Sequence, residues 1–230
     1  MKANINNIRE KISLACKNSG RDENEIFLLP VSKTVDVGKI EEAIDLGFYS
    51  FGENKVQEIL KKYEYFEGKI KFHMIGHLQT NKVKSIIDKV ELIHSLDRIS
   101  LLDKLEVEAK NKGIIVNCLV EVNIGKEESK SGIFEEDVLD FVKEVSKRDN
   151  VFVNGLMTVA PYCENVEDTR VYFKKMKSLF DEISKLNLKN IDMKILSMGM
   201  SNDFTVAIEE GATLIRIGTL IFGERDYGVV

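Results

Sequence analysis

The sequence predicts a single (β/α)8 TIM barrel of α/β class, with one extra helix at its N-terminus. Two observations lead there. Eight short apolar runs rich in Val, Ile and Phe alternate with stretches of helical spacing, the pattern of parallel strands joined by helical crossovers. After the eighth run only "GERDYGVV" remains, too little for another crossover helix, while an amphipathic segment precedes the first run. That imbalance favours a closed barrel over an open doubly wound sheet, and 230 residues make it a compact one against the ~250 that are usual.

In chain order, "NINNIREKISLACKNS" is the extra helix, expected to cover the barrel bottom or the seam between first and last strands. The strands are expected at 26–33, 48–54, 71–77, 90–97, 114–124, 151–160, 193–201 and 214–222. Helices are expected near 36–46, 54–66, 80–88, 98–112, 135–148, 165–187 and 203–210, several opened by Ser, Thr, Asp or Asn as caps. No linker, repeat or low-complexity tract divides the chain, so residues 1–230 are read as one domain.

Composition bounds the function. With 43% apolar and 31% charged residues and two prolines, the chain is an ordinary soluble globular one. Its start lacks the unbroken apolar stretch of a secretory signal, and no segment is long and apolar enough to span a bilayer. Cys16, Cys118 and Cys163 are odd in number and far apart, which fits reduced thiols in cytoplasm. CxxC spacing is absent, and the His73 to His77 spacing lacks the Glu of a zinc-protease helix, so no metal site is expected. A net charge of −5 without a dense basic tract argues against nucleic acid as a partner.

In such barrels the functional face lies at the C-terminal ends of the strands. Lys33 ends the first run, a position where an ammonium either extends into water or meets a ligand. "SMGMSNDFTVAIEEGA" passes from a strand through Gly199 to Ser201, expected to cap the following helix with or without an anion at its start. Gly218 and Thr219 add to that anion cup after strand eight. Arg216 shares strand parity with Leu214 and Gly218, so its guanidinium needs an acceptor, either a structural carboxylate such as Glu121 or a ligand. An amine, a phosphate cup and a guanidinium at one mouth suit a phosphorylated aldehyde. Pyridoxal 5'-phosphate (PLP) is one, with Lys33 as Schiff-base amine and Arg216 facing the ring nitrogen. A Schiff-base aldolase of sugar phosphates would use the same parts.

"PVSKT", "FGENKVQE", "HMIGHLQTNK", "HSLD", "VNI" with "KSG", "GLMT", "SMGMSNDF" and "RIGTLIFGERDY" occur in this order from about residue 3 to 227. They closely resemble the YggS/PROSC-type pyridoxal phosphate homeostasis proteins. The resemblance implies a barrel similar to that of alanine racemase and PLP held as a Schiff base on Lys33. Asn54 would lie close to the ring and Arg216 at its nitrogen, while Ser201, Gly218 and Thr219 would bind phosphate. His77 and Met200 would line the pocket. It implies a cytoplasmic role in vitamin B6 balance without catalytic turnover, a monomer or weak dimer, and PLP-dependent enzymes as recipients. The alternative is a PLP-dependent, amino-acid racemase-like enzyme. Racemases of this type take an acid/base tyrosine from a second domain, and none of the six tyrosines here is assigned that role.

Overall fold

A computed structural model describes residues 1–223. The "ERDY" end of the last motif lies outside these residues. Helix α1 (Lys2–Ser19) leads, followed by β1 (Phe27–Pro30), α2 (Val37–Asp45), β2 (Ser50–Glu53), α3 (Val56–Phe66) and β3 (Lys71–Met74). Then come α4 (Val83–Ile86), β4 (Leu92–Leu96), α5 (Ile99–Lys112), β5 (Val116–Glu121), α6 (Val138–Val145) and β6 (Val151–Met157). The chain continues through α7 (Arg170–Ser184), β7 (Ile191–Ser197), α8 (Phe204–Glu209), β8 (Leu214–Ile217) and the short turn α9 (Thr219–Phe222).

All eight strands are parallel in the spatial order β1-β8-β7-β6-β5-β4-β3-β2. The remaining gap, between β1 and β2, is bridged by Val31 and Gly52, where the Ser32 N–H also donates to the Gly52 carbonyl at 3.0 Å. The sheet is therefore a nearly closed barrel, as the alternation predicts. Each strand is shorter than its apolar run, because the polar tails of the runs bend into the loops above. Strand eight shows the largest difference: "TLIF" is a helical turn and not the end of a strand. A short apolar run carries no period that separates strand from buried helix, and here Gly218 breaks the strand.

Most of the core is an annulus between sheet and helices, with Phe51, Phe72, Ile93, Val120 and Leu196 facing out onto Ile40, Ile59, Leu102 and Phe173. Inside the barrel Leu92, Leu119 and Met157 cluster, with Val159 and Ile195 against them, and buried Leu29, Val31 and Leu214 share that interior. Register fixes which residues look inward. Leu29 is paired with Arg216, Val31 with Gly52 and Gly52 with His73, so these share the interior face.

Helix α1 resolves the two expected positions in favour of the seam. Its buried side, Ile5, Ile8, Ile12, Ala15 and Cys16, packs on α8 and α9. Asn4 Nδ2 donates to the Ile221 carbonyl at 3.3 Å, and Arg21 Nη1 donates to the carbonyls of Ile208 and Ala212, both at 2.7 Å. The barrel floor stays open as a cavity of about 570 Å³ lined by Phe27, Lys71, His73, Glu91, Asn154 and Lys194 among others. Cys16 and Cys118 are buried thiols and Cys163 is half-buried, all unpaired, and among the described residues no helix is long and apolar enough to cross a membrane.

Ile8→Ala should cost about 2–4 kcal/mol of unfolding free energy in urea titration, and deletion of residues 1–19 should lower the melting temperature. An unchanged melt after the deletion would refute the packing role of α1.

Candidate functional site at the barrel mouth

The mouth starts from a local cluster that precedes Lys33. Ser32 is wholly buried; its Oγ donates to Glu53 Oε1 at 2.6 Å, and Lys62 Nζ donates to the same oxygen and to the Ser32 carbonyl, both at 2.7 Å. The Glu53 carboxyl is pushed up by burial, against the pull of Lys62. Beyond Lys33, Thr34 has φ 62 and its N–H donates to Glu58 Oε2 at 2.7 Å, while the Val35 N–H turns back to Ser32 at 2.9 Å. A β-branched residue in the left-handed region is strained, so the turn carrying Lys33 is held open from both sides. Lys33 is half-buried. It lies in the turn two residues past the Val31 bridge.

On the adjacent strand, Arg216 is 4% exposed inside the barrel. Its Nη1 donates to the Ser197 carbonyl at 2.9 Å and to Ser197 Oγ at 2.6 Å, and Nη2 donates to the Thr158 carbonyl at 2.8 Å. Among the described residues its direct acceptors are neutral. The expected structural partner Glu121 acts on it only through space, as does Asp203. Burial lowers the guanidinium to about 10, so it remains charged at neutral pH. Gly218 and Thr219 follow at once, opening α9 without a side-chain cap, so the first N–H groups of that turn point off its end.

The loop after β7 differs from expectation at its helix start. Ser201 is not the helix cap: α8 begins at Phe204, and Asp203 precedes it, its Oδ1 accepting the Met200 N–H at 2.6 Å. Gly199 serves packing on α8: at φ 91, a Cβ there would lie 2.6 Å from that of Ala207. Met200 is partly exposed and Ser201 half-buried in this turn, which hydrogen-bonds to β8 through the Arg216 N–H and the Gly199 carbonyl at 3.0 Å.

Lys33, Asn54, Met200, Ser201, Arg216, Gly218 and Thr219 thus sit at the ends of four neighbouring strands, β7, β8, β1 and β2, on one arc of the mouth. Asn54 is half-buried, and its carbonyl lies 2.4 Å from where Gly76 would carry a Cβ, so the loops after β2 and β3 touch backbone to backbone. His77 stands outside the arc. Its exposed ring has Nδ1 3.4 Å from both Asp97 Oδ2 and Ser131 Oγ.

The sequence shows His94 and Glu53 as polar residues within or at the end of strands, but not that His94, Ser197 and Thr158 are linked to Arg216 inside the barrel, nor that Ser32, Glu53 and Lys62 cluster outside it. Among the described residues no group of His, Cys, Asp and Glu could hold a metal ion.

Glu121, at the end of β5, is pushed up to about 7 by burial and by the Asp97 charge, and its Oε2 has no hydrogen-bond partner. Against the usual 4.5, the folded state holds this proton through the interval from about 4.5 to about 7. Stability then falls as pH rises through that window. Glu121→Gln should flatten the fall and stabilise the protein above pH 7, by at most about 3 kcal/mol; urea titrations across the window check this.

Comparison with known proteins agrees with this geometry. Residues 2–226 match the family described as alanine racemase, N-terminal domain. A pyridoxal phosphate homeostasis protein of Aquifex aeolicus is 48% identical over 224 residues, 97% of each chain. A protein of the same name from Escherichia coli K12 is 36% identical over 97% of this chain and 96% of its own. PipY of Synechococcus elongatus, solved with PLP bound, superposes with a TM-score of 0.80 at 30% identity, over 94% of this chain and all of that one. An alanine racemase of Clostridium difficile shares the fold at a TM-score of 0.70 and 16% identity, over 97% of this chain and 55% of the racemase. On both sequence and fold, the chain belongs to the pyridoxal phosphate homeostasis protein family of alanine racemase-like barrels.

Proposed function

We propose that this chain, acting as one barrel domain over residues 1–230, binds PLP reversibly at the mouth and serves vitamin B6 homeostasis in the cytoplasm. The observation that carries the reading is Arg216, a buried cation with neutral direct acceptors, on the strand beside the one that leads to Lys33. Relatives named for PLP homeostasis, and the PLP-bound PipY, support it.

The donor set fits the cofactor. Lys33 would hold the cofactor's aldehyde through its Nζ amine. The uncapped N–H groups at Gly218 and Thr219, with the Ser201 hydroxyl, suit a phosphate. Asn54 and Met200 would line the ring, with His77 at the rim. When bound, PLP supplies the aldehyde and a ring that can take up electron density. Arg216 at the ring nitrogen would oppose its protonation, which weakens the ring as an electron sink and suits holding over turnover. On this reading the recipients are PLP-dependent enzymes and the protein is a monomer or weak dimer.

Wild-type protein should show a near-ultraviolet or visible absorbance band with added PLP and a borohydride-reducible adduct at one per chain. Lys33→Ala should lose the adduct; equal stoichiometry in the variant refutes the covalent role. A second reading, a PLP-dependent amino-acid racemase-like enzyme, draws on Glu121, whose value near 7 suits an acid/base at the mouth. Exchange of amino-acid α-protons in deuterated water, dependent on both Lys33 and Glu121, would favour it.

A further inference from the structure

A file of polar side chains crosses the barrel interior from the open floor to the mouth. Glu91 Oε2 lies 3.4 Å from His73 Nε2, His73 Nδ1 lies 3.1 Å from His94 Nε2, and His94 Nδ1 lies 3.2 Å from Ser197 Oγ. Ser197 Oγ in turn is 2.6 Å from Arg216 Nη1. His94 and Ser197 are wholly buried, His73 is 5% exposed, and Glu91 lines the floor cavity beside Lys71. Groups so deeply placed must satisfy one another.

The direction of every bond in the file follows from its two ends. A guanidinium has only donors, so Ser197 Oγ accepts from Arg216 and has its own proton to give. The acceptor it meets is His94 Nδ1, which is therefore bare. The proton of His94 is then on Nε2 and is donated to His73 Nδ1. That leaves the His73 proton on Nε2, facing Glu91, whose carboxyl is drawn down to about 2 by His73 and Lys71 and so accepts as an anion. The opposite polarity in the upper half would strand the Ser197 hydroxyl proton and require His73 to carry two. Only the first arrangement pairs every donor with an acceptor.

We infer that His94 and His73, both protonated on Nε2, are positioning residues for Arg216: they fix the Ser197 hydroxyl, which with the Ser197 and Thr158 carbonyls sets the guanidinium plane. Glu91 anchors the file at the floor, immediately before β4 begins. The consequence for the cofactor rests on the PLP reading above; the hydrogen-bond polarity does not.

The test has two arms. In apo protein labelled with 15N, long-range proton–nitrogen correlation at neutral pH should show both His73 and His94 with Nδ1 unprotonated and Nε2 protonated. A proton on His94 Nδ1, or a doubly protonated His73, overturns the polarity. In the second arm, His94→Leu removes both contacts, while His94→Gln retains an acceptor for Ser197 and a donor for His73. PLP should dissociate about tenfold more readily from the Leu variant, the worth of one hydrogen bond, with a shifted absorbance band. The Gln variant should recover most of both. If Leu and Gln variants bind and absorb as wild type does, the positioning role is wrong. If the Leu variant fails to fold, a Gln variant with tenfold weaker binding and a shifted band equally overturns the rescue. Should wild type bind no PLP, the cofactor reading fails and the nitrogen spectra alone decide the file.

Discussion

Closure of the sheet at β1 is the constraint on which the rest of the molecule depends. The strand is only four residues long, yet it pairs with β8 along its whole length and meets β2 at a single bridge. That closure brings residues from both ends of the sequence to one arc of the mouth. Without it Lys33 would lie on the edge of an open sheet, and Arg216 would be a cation on a solvated face.

Charge is distributed around this closure in two separate systems. Outside the sheet, Glu53 and Lys62 form a buried pair that also grips Ser32. Such a pair is weak evidence of stability, since desolvation offsets much of the attraction. Its better-supported effect is geometric, because it holds a strained turn at Thr34 next to Lys33. Inside the sheet, Arg216 rests on carbonyls and a hydroxyl, and the nearest carboxyls, Glu121 and Asp203, are both pushed up by burial. The interior thus keeps a buried cation on neutral acceptors, beside carboxyls whose charged forms burial disfavours.

Much of this was legible in the sequence because it is periodic or local. Alternating apolar runs gave strand number, and the apolar neighbours of Arg216 marked a guanidinium in need of an acceptor. The errors arose where a residue's partner is distant in sequence. Ser201 reads as a cap, but α8 starts at Phe204 and Asp203 takes the preceding position. A carboxylate such as Glu121, or a ligand, reads as the acceptor of Arg216, whereas the guanidinium donates to Thr158 and Ser197. His94 and Ser197 are 103 residues apart, and nothing local links them. "TLIF" was misread for want of a period in four apolar residues.

The way α1 docks also sets an order of events during folding. Its contacts span most of the chain, with Arg21 bonded 187 and 191 residues ahead and Asn4 bonded 217 residues ahead. Long-range closure is slow because the loop entropy is spent before the contacts form. A nascent chain therefore keeps its first strand and first helix waiting until the eighth strand has left the ribosome. During that wait β1 and β7 present unpaired backbone edges, the surfaces most open to pairing with another chain. Until β8 pairs, β1 and β7 are thus the edges at which this barrel is most exposed to aggregation.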